Sequence, residues 1–364
     1  MNITFVISTL AKGGSERVTS ILANRFSRGQ YRVTILTLFN SNISYEINPE
    51  IDVISLDQKL FTSKKSFILK LYYYLKRIFD LGRYFKDKDE NIVVIGSDIL
   101  NATIVISKLI FNLKNKLILT IRSNPMLSRG FFLRKIIYFF YKYADAVVVQ
   151  SITNKNFIAS KIRKNKIARI DNLTTFTPTT IERVKKKYDF LTIGRMHSIK
   201  NQLDIVKAIK ILNSSNSNNF NLCIVGRDQG NQKEIINYIN NHKLNDNIFL
   251  KGEVDDIHNF YNTSKVLVHY SNYEGQSNVI IEAITLGLPI IVSNWPGVEQ
   301  DIINDYNGLI VERNNPNLLA EKMEKLISNQ GLQKRMSANN YKISDKYSLE
   351  KIFSNWEELI NGLK

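Results

Sequence analysis

Short apolar runs bounded by turn residues alternate with longer segments of helical spacing along almost the whole chain. In the first half the runs are "ITFVIST", "RVTILTL", "NIVVIGS", "KLILTIR" and "DAVVVQS". In the second they are "YDFLTIG", "FNLCIVG", "NIFLKG", "KVLVHYS", "LPIIVSN" and "NGLIVE". Runs of this length without strict polar alternation read as strands buried on both faces, and the helical segments between them as crossovers. The pattern predicts an α/β chain of two doubly wound, Rossmann-like domains in tandem.

The periodic pattern breaks at residues 171–189, where Thr, Pro and charged residues take over, so the linker is expected there. This assigns residues 1–175 to a first domain and 176–345 to a second. Residues 346–364, which include Trp356, form a helix that packs back toward the first domain. The stretch "NSSNSNN" from residue 213 reads as a polar loop. The start, "MNITFVISTLAKGG", has no basic segment before its apolar run and reaches Gly13 and Gly14 early, which reads as a strand entering a loop rather than a leader. Every apolar run is cut by charge or Asn well short of the ~18 residues of a spanning helix.

The chain has 364 residues, 44% hydrophobic and 23% charged, a globular composition with room for two cores. Its one cysteine, Cys223, leaves no disulfide framework and fits a reducing compartment. The four histidines show no metal-ligand spacing. Net charge is +17, and it is uneven: residues 1–180 hold 28 Lys and Arg against 12 Asp and Glu, the remainder 22 against 21. The first half is therefore expected to face a polyanion or an anionic membrane surface.

Parallel sheets place ligands beyond the carboxyl ends of their strands. Three post-strand loops carry suitable residues. In "STLAKGGSER", Gly13 and Gly14 precede a helix, where bare N–H groups can approach phosphate. In "LTIGRMHSIKNQ", Arg195 and Lys200 can neutralise a departing nucleotide pyrophosphate, with His197 an ordinary loop residue. In "EGQSNVIIEA", a helix over 277–287 would put Ser277 and Asn278 at an N-terminus facing phosphates. Glu274 on the preceding loop can then accept from sugar hydroxyls and Glu282, inside the helix, from ribose hydroxyls. Glu282 stands in an otherwise apolar helix, and a carboxylate there needs a partner.

"EGQSNVIIEA" resembles the paired-glutamate motif, seven residues between the carboxylates, of the retaining glycosyltransferases of family 4. "GR" with a Lys five residues after the Arg resembles that family's phosphate clamp, and "GGSER" is similar to its Gly-Gly loop. The ordered set spans residues 3 to about 330. The resemblance implies a GT-B fold, two Rossmann-like domains facing across a cleft. The nucleotide-sugar donor would be UDP-linked, held mainly by the second domain. Arg195 and Lys200 would bind its pyrophosphate, Glu274 the transferred sugar and Glu282 the ribose. Gly226, Glu253 and Val254 would border the base, and Gly275, Ser277, Asn278 and Val279 would complete the donor side with Gly13 and Gly14. The family needs no cofactor or bound metal. Where many members carry a histidine after the fourth strand of the first domain, this chain reads "LTIRSNP", with Arg122 in that place. Arginine is no general base, so Arg122 would stabilise the leaving pyrophosphate or position the acceptor.

Residues 64–88 suit a helix with an apolar face through Ile68, Leu71, Tyr72, Leu75 and Phe79, with Lys70 and Arg77 opposite. Residues 129–145 have similar composition. Aromatic and basic residues around an apolar stripe describe an interfacial helix on anionic lipid. The acceptor is then expected to be a lipid-linked glycan, a polyprenyl pyrophosphate of capsule, O-antigen or glycoprotein assembly, drawn to Lys70, Lys76, Arg77 and Arg83. The expected location is the cytoplasm, peripherally bound at the inner face of the cell membrane. Other readings are a GT-B nucleotide-sugar epimerase, a non-catalytic membrane scaffold, and a nucleic-acid binder, which lacks any supporting motif.

Overall fold

The computed structural model describes residues 1–57, 67–122, 131–178, 185–215 and 219–363. The centre of the expected linker (179–184), the start of the 64–88 segment, residues 129 and 130, and residues 216–218 of the expected polar loop lie outside them, and Asn213, Ser214 and Ser215, read as the start of that loop, instead end a helix. The chain forms two compact units: Met1–Asp171 rejoined from Ile352 onward, and Asn172–Lys351.

The first unit runs β1 (Asn2–Ile7), α1 (Gly14–Ser27), β2 (Arg32–Thr37), β3 (Asp52–Ser55), α2 (Phe67–Phe85), β4 (Asn91–Val94), α3 (Asp98–Ile110), β5 (Leu117–Ile121), α4 (Phe131–Phe140), β6 (Ala146–Val149), α5 (Ile152–Ala159) and β7 (Ile167–Arg169). All strand pairs are parallel, in the order β3-β2-β1-β4-β5-β6-β7. The order reverses between β1 and β4, which pair with Val6 opposite Val94. One face of the sheet packs Leu81, Phe85, Ile104, Val105, Ile137 and Tyr138 from α2, α3 and α4 into a continuous core.

Two strands went unread in the sequence. β3 and β7 are the two edges of this sheet, short and largely solvent-facing, so neither carries the buried apolar run that marks a central strand. In consequence Arg122 follows the fifth strand of its unit, not the fourth.

The second unit runs β8 (Tyr188–Ile193), α6 (Gln202–Ser215), β9 (Leu222–Val225), α7 (Gln232–Asn241), β10 (Ile248–Gly252), α8 (Ile257–Asn262), β11 (Ser264–His269), α9 (Asn278–Thr285), β12 (Ile290–Ser293), β13 (Leu309–Val311), α10 (Pro316–Ile327) and α11 (Gln330–Ser344). Its parallel sheet has the order β10-β9-β8-β11-β12-β13, with the reversal between β8 and β11. Apolar layers cover both of its faces. A last helix, α12 (Leu349–Asn361), carries the chain into the first unit. There Phe353 lies 4.7 Å from the Phe26 ring, Glu357 accepts a 3.0 Å hydrogen bond from Tyr31, and Trp356 is buried.

Helix α2 leaves exposed the apolar stripe expected to lie on lipid and buries a second apolar face. Ile78, Leu81 and Phe85 go into the core, while Ile68, Leu71, Tyr72, Leu75 and Phe79 stay exposed. Arg77 shares the buried face: it is 7% exposed, with its guanidinium 5.1 Å from the Phe39 ring, and burial pushes its pKa down. The expectation that Arg77 meets lipid or acceptor is therefore corrected. Among the described residues no helix is long and apolar enough to cross a membrane.

Candidate functional site

The loops after β8 and β11 leave the second sheet side by side at its reversal point, where an open α/β sheet leaves a crevice. The first loop carries Arg195 and Lys200, the second Glu274. The ammonium of Lys200 contacts Oε1 of Glu274, bringing together two of the sequence-predicted residues from positions 74 apart. Arg195 is exposed at the start of the same loop. The loop's shape is set by Gln202, whose Nε2 donates to the carbonyls of Gly194 and Arg195, both at 3.1 Å.

Glu274 is ringed by donors. His269 Nε2 lies 2.9 Å from its Oε1, and Ser271 Oγ donates to the same oxygen at 2.7 Å. Burial would push the Glu274 carboxyl up, but the Lys200 charge and the His269 hydrogen bond hold it well below the usual carboxylate range. The group is thus an ionised acceptor, suited to sugar hydroxyls. His269, the last residue of β11, is 2% exposed, and burial lowers its pKa. Its ring meets Trp295 edge-on at 5.7 Å.

Helix α9 begins one turn later, with Ser277 at its N-cap and Asn278 at its first position. The Ser277 hydroxyl makes no cap bond and sits 3.3 Å from His269 Nε2. Asn278 Oδ1 is buried without a hydrogen-bond partner among the described residues. Gly275 and Val279 are half-buried beside them. Gln276 ties the loop down: its Oε1 accepts from the Asn172 amide at 2.6 Å and its Nε2 donates to Asp301 at 3.0 Å. Glu282 is 3% exposed and has the partner its setting demands, the Tyr261 hydroxyl at 2.7 Å.

Gly226 follows β9 directly with φ +148°, its N–H donating to the Gly252 carbonyl at 2.7 Å. Gly252 turns the chain at φ +64° into Glu253, which is exposed, and Val254, half-buried against the core. In the first unit the Gly13 N–H is not bare. It donates to the Tyr45 hydroxyl at 2.8 Å, and the Glu16 carboxylate lies where a Cβ on Gly13 would stand. Gly14 is exposed at the start of α1. Burial pushes the Arg122 guanidinium down to about 10, with Glu16 acting the other way, so it remains a cation at neutral pH. On α2, Lys70 and Arg83 are exposed and Lys76 pairs with Asp80 at 2.7 Å.

His269, Ser271, Gln276 and Tyr261 were missed in the sequence. A signal existed for the first: a histidine closing an otherwise apolar strand five positions before Glu274. The others are ordinary polar residues until the fold sets them against a carboxylate.

Residues 176–343 match the family model described as Glycosyl transferases group 1. The chain is 26% identical to the GalNAc-alpha-(1->4)-GalNAc-alpha-(1->3)-diNAcBac-PP-undecaprenol alpha-1,4-N-acetyl-D-galactosaminyltransferase of Campylobacter jejuni, over 100% of this chain and 99% of that protein. Among solved structures, sucrose-phosphate synthase from Thermosynechococcus elongatus superposes with a TM-score of 0.83 at 17% identity, covering 100% of this chain and 98% of that one. Anabaena HepE in complex with UDP does so with a TM-score of 0.78 at 14% identity, covering 100% of each. The match to the group 1 glycosyltransferase model thus covers most of the second unit, and the two parallel-sheet units take the fold of GT-B glycosyltransferases.

Proposed function

We propose that this chain is a retaining glycosyltransferase of family 4 that moves a sugar from a UDP-linked donor to a polyprenyl-pyrophosphate-linked glycan at an anionic membrane surface. It would serve bacterial polysaccharide or glycoconjugate synthesis. The observation that carries the reading is the meeting of Lys200 and Glu274 at the reversal point of the second sheet. There a cation for phosphate and an ionised carboxylate for sugar hydroxyls stand in contact.

In this reading Lys200, Arg195 and the N-terminus of α9 stabilise the departing nucleotide pyrophosphate, so the chain's own charges meet the leaving group and no resident metal is called for. Glu274 holds the transferred sugar, and Glu282 the ribose. The anomeric carbon–oxygen bond to phosphate breaks and the bond to the acceptor oxygen forms on the same face. The acceptor proton passes to the leaving phosphate oxygen. Arg122 adds positive charge for the leaving group or the acceptor. The Campylobacter relative, named for an undecaprenyl-pyrophosphate glycan, supports the acceptor class, and the UDP complex of HepE supports the donor carrier.

The membrane part rests on the first unit. Besides the stripe of α2, Leu109 and Ile110 at the end of α3 and Leu133, Ile136 and Phe139 of α4 are exposed. Cations accompany them: Lys70, Lys76 and Arg83 on α2, and Lys142 with its ammonium 3.7 Å from the Phe139 ring. Apolar side chains for the acyl boundary beside cations for anionic headgroups favour peripheral binding at the inner face of the cell membrane.

The test is a thermal-shift comparison with UDP, GDP and ADP, because a ligand bound only by the native state raises the midpoint. A rise with UDP that is absent in Lys200→Ala is expected. No rise with any nucleotide would remove the donor site from the reading.

A further inference from the structure

Glu274 is anchored through one oxygen only. Oε1 accepts from Lys200, from Ser271 and from the His269 ring, whereas Oε2 accepts from no described residue. A carboxylate cannot donate, so the His269 nitrogen facing it at 2.9 Å carries the hydrogen. Ser271 Oγ spends its own hydrogen on Glu274 and turns a lone pair toward the same ring nitrogen, 3.2 Å away.

We propose that His269, as the Nε2–H tautomer and with Ser271, is the positioning residue that fixes Oε1 of Glu274 and aims Oε2 at the donor sugar. This rests on the reading of Glu274 as the sugar-binding carboxylate. The three donors are not equivalent. Lys200 sits on a flexible stem and turns to a phosphate when one arrives. His269, which ends β11, and Ser271, two residues beyond it, are 2% and 1% exposed, and His269 is held further by Trp295, so they keep the carboxylate aimed after Lys200 has left. The charged groups facing the imidazole are Glu274, which favours its protonation, and Lys200, which opposes it; burial opposes it most, and the ring stays neutral.

The test uses the full chain with two substitutions. His269→Leu removes the donor, and His269→Gln keeps an N–H. With UDP-glucose, UDP-N-acetylglucosamine and UDP-N-acetylgalactosamine as probes and UDP release as readout, His269→Leu should lower kcat about 10- to 100-fold with little change in KM. His269→Gln should recover most of it. Equal loss in both variants, or loss in neither, overturns the proposal.

A second measurement does not depend on turnover. In protein carrying 15N-histidine, the resonance missing from His269→Gln should report Nε2–H with a bare Nδ1, with no protonation between about pH 8 and 6, and should move in Glu274→Gln. An Nδ1–H tautomer, or titration near the usual histidine value, overturns the anchor. A chain that shows the expected resonance but releases UDP from none of the probes retains the anchor and loses the transferase reading.

Discussion

Gly226 and Gly194 pass so closely that a Cβ on Gly226 would stand 2.0 Å from the Gly194 carbonyl oxygen. With φ at +148°, Gly226 also occupies backbone space that other residues rarely adopt. Any side chain there pushes the loop after β8 away from the loop after β9, and the displaced loop carries Arg195 and Lys200. Gly226→Ala should therefore cost about 1–3 kcal/mol of stability and, by misplacing the cations, at least about tenfold in kcat/KM. Urea melts and UDP-release kinetics check both, and an active, fully stable variant would break the link between this crossing and the site.

Lys200 and Glu274 act as a pair, and their removal should be non-additive. Glu274→Gln and Lys200→Met should each lower kcat by about 10²–10³-fold, and the double variant by clearly less than the product. Multiplicative losses would mean that the two groups work independently.

The same pair predicts a pH dependence of stability. The folded Glu274 carboxyl lies below its unfolded value of about 4.3, so its contribution is complete above that pH and fades as pH falls toward the folded value. The stability deficit of Lys200→Met should be present at neutral pH and shrink below about pH 4. A deficit that grows on acidification would reverse the sign and refute the assignment.

Leu71 and Leu75 are exposed on α2 and belong to the stripe assigned to lipid. Burying a leucine contributes about 1.5–3 kcal/mol, so Leu71→Glu with Leu75→Glu should weaken binding to phosphatidylglycerol-containing vesicles by more than about tenfold. Folding stability should move little, because neither side chain serves the core. Binding should also fall with added salt and be weaker on phosphatidylcholine alone. Unchanged sedimentation with vesicles would assign the stripe elsewhere.

Cys223 is fully buried on β9, and burial pushes its thiol up to about 11. The native chain at pH 8 should resist thiol reagents, with labelling appearing only as urea unfolds it. Fast labelling of the native state would contradict the packing of that strand.

The central strands were legible because each is a local event: a short apolar run ended by Gly, Asn or Ser prints its own boundaries. All six strands of the second unit stand where those runs predicted them, and the α9 N-terminus fell where Ser277 and Asn278 marked it. The edge strands β3 and β7 were not legible, since a half-exposed strand of three or four residues leaves no period to detect.

What tertiary structure alone decided are choices between locally equivalent alternatives. Helix α2 offers two apolar faces at helical spacing, one through Leu71 and Leu75 and one through Ile78, Leu81 and Phe85. Only the sheet beneath it selects the second and draws Arg77 inward. Likewise residue type and spacing made Arg195, Lys200, Glu274 and Glu282 candidates for chemistry. That Lys200 and His269 converge on one oxygen of Glu274 depends on β8 lying beside β11, a pairing between strands more than seventy residues apart. Local sequence encodes strand and loop, but which loops become neighbours is a property of the assembled sheet.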